Sequence, residues 1–208
     1  MTNMKLYYAP ASPFVRKINV VAIELGIDNQ IERLDCAPGP IKRDRDIIEH
    51  NPLGQIPTFL TEDGDWLYDS RVICEYLDHR FGKNKMFPAA GPARWRVLRD
   101  QSIGDGILDA AILVRYETWL RPEEFRWADW ESGQIDKIFT SLAAIEADIA
   151  ALQGRVDMGT LTIACSLSYL DFRFDRLQWR AKHPKTAAWY AAFAERPSMR
   201  ETQPYSNV

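Results

Sequence analysis

Ser12-Pro13 stands before a run with apolar residues at Phe14, Val15, Ile18, Val21, Ala22 and Leu25. Ser at the N-cap with Pro at the first helical position is a strong helix-start signal. The Ser12 hydroxyl therefore sits among unpaired amides at the positive end of a helix dipole, a setting that suits an anion. Asp69-Ser70 opens a second helical pattern, with Val72, Ile73, Tyr76, Leu77 and Phe81 as its apolar positions. A hydroxyl and free amides at that point suit a carboxylate, and the adjacent acid suits an ammonium. NPLGQIP, residues 51–57, delivers Pro57 to the entry of a β-type run. Asp105 and Asp109, in the stretch DGILD, put two carboxylates on one helix face. Each feature also has a plain structural use. Ser12, Asp69 and Ser70 can be helix caps, Pro57 a strand entry, and the acidic pair a solvated surface; residue types alone favour the cap for Ser12.

The elements that position these residues follow from periodicity. A β-type run, Lys5–Tyr8, reaches a Pro-containing turn, Ala9–Ala11, and then the helix begun by Ser12. Gly26 is a plausible helix stop and Ile31–Leu34 a second strand, so the chain starts β-α-β, which implies parallel pairing. Residues 36–50 are charged and Pro/Gly-containing, an exposed loop with an irregular helix. Thr58–Leu60 and Trp66–Tyr68 flank an acidic, Gly-containing turn and predict a hairpin. With the helix after Asp69, the order β-α-β then β-β-α is that of a thioredoxin-like fold, predicted over residues 1–81. Residues 82–92 form a Gly/Pro/Ala/Lys-rich linker, and 93–208 read as entirely helical. There, Ala93–Leu120 is one long helical pattern, and Ile135, Ile138, Leu142, Ile145, Ile149 and Leu152 mark an amphipathic helix. Asp157 and Thr160 have capping-box spacing ahead of Leu161–Phe174.

The totals narrow the function. With 26 Lys+Arg against 29 Asp+Glu, the net charge of −3 gives no general attraction to nucleic acid or anionic membrane. No apolar run approaches the ~18–20 residues of a membrane span, and the first residues lack a signal-peptide core, so a cytoplasmic location is expected. Cys36, Cys74 and Cys165 are scattered, and the histidines, His50, His79 and His183, are too. Neither a zinc site nor a Ser-His-Asp hydrolase is supported.

Taken together, SPF at a strand–helix junction, NPLGQIP, Asp-Ser opening a helix, and a helical second half resemble a cytosolic glutathione S-transferase across essentially the whole chain. The SPFVRK form resembles the serine-type, tau/theta-like bacterial branch. The resemblance implies an α/β thioredoxin-like N-terminal domain plus an all-α C-terminal domain. It gives Ser12 the role of hydrogen-bonding and stabilising the glutathione thiolate; Tyr8, at the end of the first strand, is the rival donor. It makes Pro57 cis, turns the backbone of Ile56 toward the cysteinyl residue, and sets Gln55 against a glutathione carboxylate. Asp69 and Ser70 meet the γ-glutamyl end, and Asp105 reaches the glutamyl ammonium across a homodimer. Reduced glutathione is then the co-substrate, a small hydrophobic electrophile the acceptor, detoxification the role, and no metal or prosthetic group is required. Two other outcomes stay open: a non-catalytic glutathione- or ligand-binding or regulatory protein, and a glutathione-dependent peroxidase or reductase. The chain departs from the family's usual pattern in having Asp69 where Glu or Gln is common, and Thr160 in place of Asp. Arg16 and Lys17 are expected as solvated helix charges, and Arg115 with Glu117, near Arg121-Pro122, as a structural ion pair.

Overall fold

The computed structural model describes residues 3–206. They form two units: residues up to Gly91 together with the stretch from Pro197 onward, and Pro92–Arg196.

In the first unit, β1 (Met4–Tyr8) pairs in parallel with β2 (Ile31–Asp35), Met4 lying opposite Ile31 and Tyr8 opposite Asp35. On its other side β1 pairs antiparallel with β3 (Phe59–Leu60), which pairs antiparallel with β4 (Trp66–Leu67), so the sheet order is β2-β1-β3-β4. Between β1 and β2 runs α1 (Pro13–Leu25), which buries Val15, Ile18, Val21 and Ala22. Gly26, at φ 70°, ends it: the left-handed turn lets the Ile27 amide reach the Ala22 carbonyl at 2.9 Å. The charged stretch after β2 contains α2 (Arg45–His50), capped by Asp44. After β4 comes α3 (Ser70–Leu77), whose buried face is Ile73, Cys74 and Leu77.

Two expectations change here. Arg16 and Lys17 are not solvated: they are 4% and 0% exposed. The α1 face that carries Arg16 is covered by α9 (Pro197–Arg200) and the residues after it. Arg16 donates from Nη2 to the Met199 carbonyl at 2.9 Å and from Nε to Thr202 Oγ1 at 3.2 Å. Glu24 on the same helix accepts from the Ser198 hydroxyl at 2.5 Å. These contacts group the chain from Pro197 onward with the first unit, although its sequence reads as a continuation of the helical half. The linker is also held in place, because the fully buried Asp78 carboxylate accepts from the amides of Met86 at 3.0 Å and Phe87 at 2.7 Å.

The second unit is helical: α4 (Gly91–Arg115), α5 (Ala128–Ala147), α6 (Met158–Arg173), α7 (Trp179–Lys182) and α8 (Pro184–Phe193). α4 continues through a wider turn, Tyr116–Leu120, closed by the Arg121 amide on the Tyr116 carbonyl at 3.0 Å. The capping box at Asp157 and Thr160 is present. Glu117 pairs with Arg121 at 2.7 Å and not with Arg115. Residues four apart share a helix face, whereas residues two apart do not.

Candidate functional site

Sheet topology brings three of the predicted features to one end of the first unit. β1 ends at Tyr8, β3 runs the opposite way and so begins at that end, and β4 runs back to deliver α3 there. The Tyr7 amide donates to the Thr58 carbonyl at 3.0 Å, tying the Pro57 segment to the end of β1. Lys17 Nζ donates to Ser70 Oγ at 3.1 Å, tying α1 to the start of α3.

Ser12 caps α1, its Oγ accepting from the Val15 amide at 3.3 Å. As a cap the hydroxyl uses an oxygen lone pair, which leaves its proton to donate elsewhere. Cap and donor are therefore compatible roles. The Ser12 amide is itself bonded to the Ala9 carbonyl at 3.0 Å, so the turn before the helix is held.

The Ile56–Pro57 bond is cis. Neither the amide nor the carbonyl of Ile56 has a hydrogen-bond partner among the described residues. Around it the backbone is braced by Asn51, a residue that sequence reasoning missed. Asn51 is 1% exposed, and its Nδ2 donates to the Gln55 carbonyl at 3.0 Å and to Thr58 Oγ1 at 2.9 Å. Its Oδ1 accepts from the Leu53 amide at 3.0 Å. An Asn opening a Pro- and Gly-containing loop was the available signal, since its amide can satisfy backbone groups at both ends of such a loop. Gly54 has φ 62°, and a Cβ there would lie 2.7 Å from Arg43 Nη2. The Gln55 side chain is exposed.

Asp69 is the exposed cap of α3, its Oδ1 accepting from the Arg71 amide at 2.8 Å. Ser70 is 2% exposed, and its hydroxyl oxygen is engaged by Lys17. Its backbone amide has no partner, and its hydroxyl, like that of Ser12, keeps its proton to donate. Asp105 belongs to α4 of the second unit and is 1% exposed.

A cavity of about 330 Å³ opens beside the Tyr8–Ser12 turn, lined by Tyr8, Ser12, Arg16, Arg33, Thr202 and Tyr205 among others. Burial, followed by a hydrogen bond with Tyr205, pushes the Tyr8 phenol up to about 12. Tyr8 thus keeps its proton at neutral pH, with Tyr205 as its neighbour. Cys36 donates to the Tyr8 carbonyl at 3.3 Å, and burial above all, with Asp44 adding to it, pushes its thiol up to about 12. It has no thiolate character to offer as a nucleophile. Among the described residues no group of three or more His, Cys, Asp or Glu side chains could hold a metal ion, and no helix is long and apolar enough to cross a membrane.

Residues 11–80 match the model of the glutathione S-transferase N-terminal domain. The chain is 32% identical over 205 residues to the uncharacterized GST-like protein YibF of Escherichia coli K12, covering 97% of this chain and 98% of that protein. The chain belongs to the glutathione S-transferase family. A glutathione transferase family member from Pseudomonas fluorescens Pf-5, solved with bound glutathione, superimposes with a TM-score of 0.95 at 44% identity, over 98% of this chain and 100% of that one. A second structure of a Pseudomonas fluorescens Pf-5 family member, with bound S-(propanoic acid)-glutathione, gives a TM-score of 0.90 at 43% identity, covering 97% and 100%. The fold of this transferase family, a small mixed four-stranded sheet with helices followed by a mostly helical second half, is the fold described above.

Proposed function

We propose that this chain is a serine-type glutathione transferase: Ser12 stabilises the thiolate of reduced glutathione, and the sulfur attacks a small hydrophobic electrophile. The observation that carries the reading is the Ser12 hydroxyl with its proton to spare, at the same end of the first unit as the unpartnered amide and carbonyl of Ile56. The cysteinyl residue of glutathione would add antiparallel to Ile56, as an extended peptide adds to an open edge. Its γ-glutamyl carboxylate would take the Ser70 amide at the start of α3, and its ammonium the second oxygen of Asp69. The exposed Gln55 side chain would serve a glutathione carboxylate. Lys17 acts behind this arrangement by holding Ser70 in place. Family relatives with bound glutathione, and with an S-substituted glutathione, support the choice of ligand. A homodimer and a cytoplasmic detoxifying role belong to the same reading.

The energetics are modest. A thiol of pKa ~8.5 lowered by ~2 units needs ~2.7 kcal/mol of differential stabilisation. A hydrogen bond to a charged sulfur at ~1.5–3 kcal/mol, with a helix N-terminus adding ~0.3–1, covers it. The thiolate pair then forms the carbon–sulfur bond. The leaving group departs with its own pair or, for an activated double bond, the carbanion takes a proton from water.

An electrophile panel run beside a hydroperoxide assay tests this. The expected result is conjugation by the wild type, with kcat/KM falling ~10–100-fold in Ser12→Ala, as the loss of ~1.4–2.7 kcal/mol requires. Hydroperoxide reduction without conjugation would make the protein a peroxidase. Glutathione binding with neither activity would make it a carrier.

A further inference from the structure

Arg16 and Lys17 are neighbours in sequence but leave α1 about 100° apart around its axis. Lys17 meets α3 at Ser70, whereas Arg16 meets the stretch from Pro197 onward. The cavity of about 330 Å³ beside the Tyr8–Ser12 turn lies on the Arg16 side: Arg16, Asn19 and Ile23, on one face of α1, line it. Arg33 of β2 lines it too, and the sheet order puts β2 and β3 on opposite flanks of β1. Ile56 and Ser70, the groups assigned to glutathione, belong to the β3 and α3 flank. Ser12 alone borders both.

Two charged groups of this cavity are unmatched. Arg16 is 4% exposed, and a buried charge ordinarily has an opposite charge beside it. Its Nη2 and Nε reach neutral acceptors, the Met199 carbonyl and the Thr202 hydroxyl. Nη1 is buried with no partner, and no carboxylate pairs with the guanidinium among the described residues. Arg33, by contrast, is satisfied, because Asp28, Asn19 and the carbonyls of Asp28 and Ile31 take its N–H groups. Glu201, next in the chain to Thr202, also lines the cavity. It is exposed, and its carboxylate has no ion pair or hydrogen bond among the described residues. The wall thus carries a cation without an anion, and the rim an anion without a cation. Val15, Ile23 and the rings of Tyr8 and Tyr205 give the same cavity an apolar part.

We propose that this cavity is a binding site for a free amino acid with an apolar side chain, its carboxylate on Arg16 and its ammonium on Glu201. The side chain lies against the rings of Tyr8 and Tyr205. A neutral ligand would leave both charges unmet, and a simple anion would meet Glu201 as a like charge. The site is independent of the thiol chemistry proposed for Ser12.

Titration calorimetry of the full chain with L-phenylalanine, 3-phenylpropionate and phenethylamine tests the proposal, since the last two each lack one of the charges. Saturable binding of L-phenylalanine is expected, at least ~10-fold tighter than phenethylamine, the discrimination a contact to a buried charge supplies. It should exceed 3-phenylpropionate by ~3–5-fold, the worth of an exposed ion pair. Arg16→Met should remove the advantage over phenethylamine. Glu201→Gln should remove the advantage over 3-phenylpropionate and leave the affinity for 3-phenylpropionate no weaker. Glu201 is exposed and holds no other group, so its variant keeps the test decisive if Arg16→Met fails to fold. Absence of saturable L-phenylalanine binding to the wild type, phenethylamine binding as tightly as L-phenylalanine, or L-phenylalanine affinity unaltered in Glu201→Gln would overturn the proposal.

Discussion

Replacing Arg16 with Met keeps the apolar stem of the side chain in α1 and removes the guanidinium. The wild-type group is 4% exposed and makes two bonds, to the Met199 carbonyl at 2.9 Å and Thr202 Oγ1 at 3.2 Å. Bonds from a charged donor contribute ~1.5–3 kcal/mol each. Against this, Nη1 is buried with no partner, and freeing such a group returns ~1–3 kcal/mol of desolvation cost. The balance is a loss of about 2–4 kcal/mol. At ~2–4 °C per kcal/mol for a chain of this size, the melting temperature should fall by about 5–15 °C. Circular dichroism during heating reads the fall. Limited proteolysis should show the stretch from Pro197 onward cleaved sooner, since Arg16, together with Glu24, binds it to α1. A solvated helix charge would change stability by no more than ~0.5 kcal/mol. A melting temperature within ~1 °C of wild type would therefore refute the anchoring role.

Glu146 on α5 accepts from the amides of Lys185 at 3.0 Å and Thr186 at 2.7 Å and from the Thr186 hydroxyl at 2.7 Å, capping α8. Burial alone would raise its pKa, but the Thr186 and Lys185 donors outweigh burial and hold it below the usual range. A depressed carboxyl stabilises the fold above its unfolded value, ~4.3, and loses that contribution as pH falls through the folded value. Glu146→Gln should thus melt lower than wild type at pH 7, the gap closing below about pH 4 in a pH series; a constant gap would contradict the assignment. Cys36, with its thiol near 12, should react with a maleimide only very slowly in the native protein at pH 7, measured by intact mass. Rapid labelling at that residue would show that burial does not control it.

Much of the fold is written in local signals. Ser12-Pro13 and Gly26 bracket α1 because a cap and a left-handed stop act within one turn of chain. The two-residue strands β3 and β4 were legible through the turn between them, and Asp157 with Thr160 through spacing alone. What was not legible depends on chain far away in sequence. Arg16 and Lys17 have the residue types of a solvated face, and only the return of the chain at Pro197, and the start of α3 at Ser70, cover them. The bracing by Asn51 is a matter of where loop carbonyls point, which composition does not encode. The pairing of Arg115 with Glu117 failed for a local reason: two-residue spacing puts them on different faces, and Arg121 had the better register.

The most direct test is the ultraviolet absorbance titration of glutathione's thiol bound to the full chain, wild type against Ser12→Ala. Ser12 donating to the sulfur predicts a bound thiol pKa lowered from ~8.5 to roughly 6.5, returning most of the way in Ser12→Ala. A wild-type complex whose thiol titrates as it does free in solution would contradict the claim, as would a shift that survives Ser12→Ala and disappears in Tyr8→Phe.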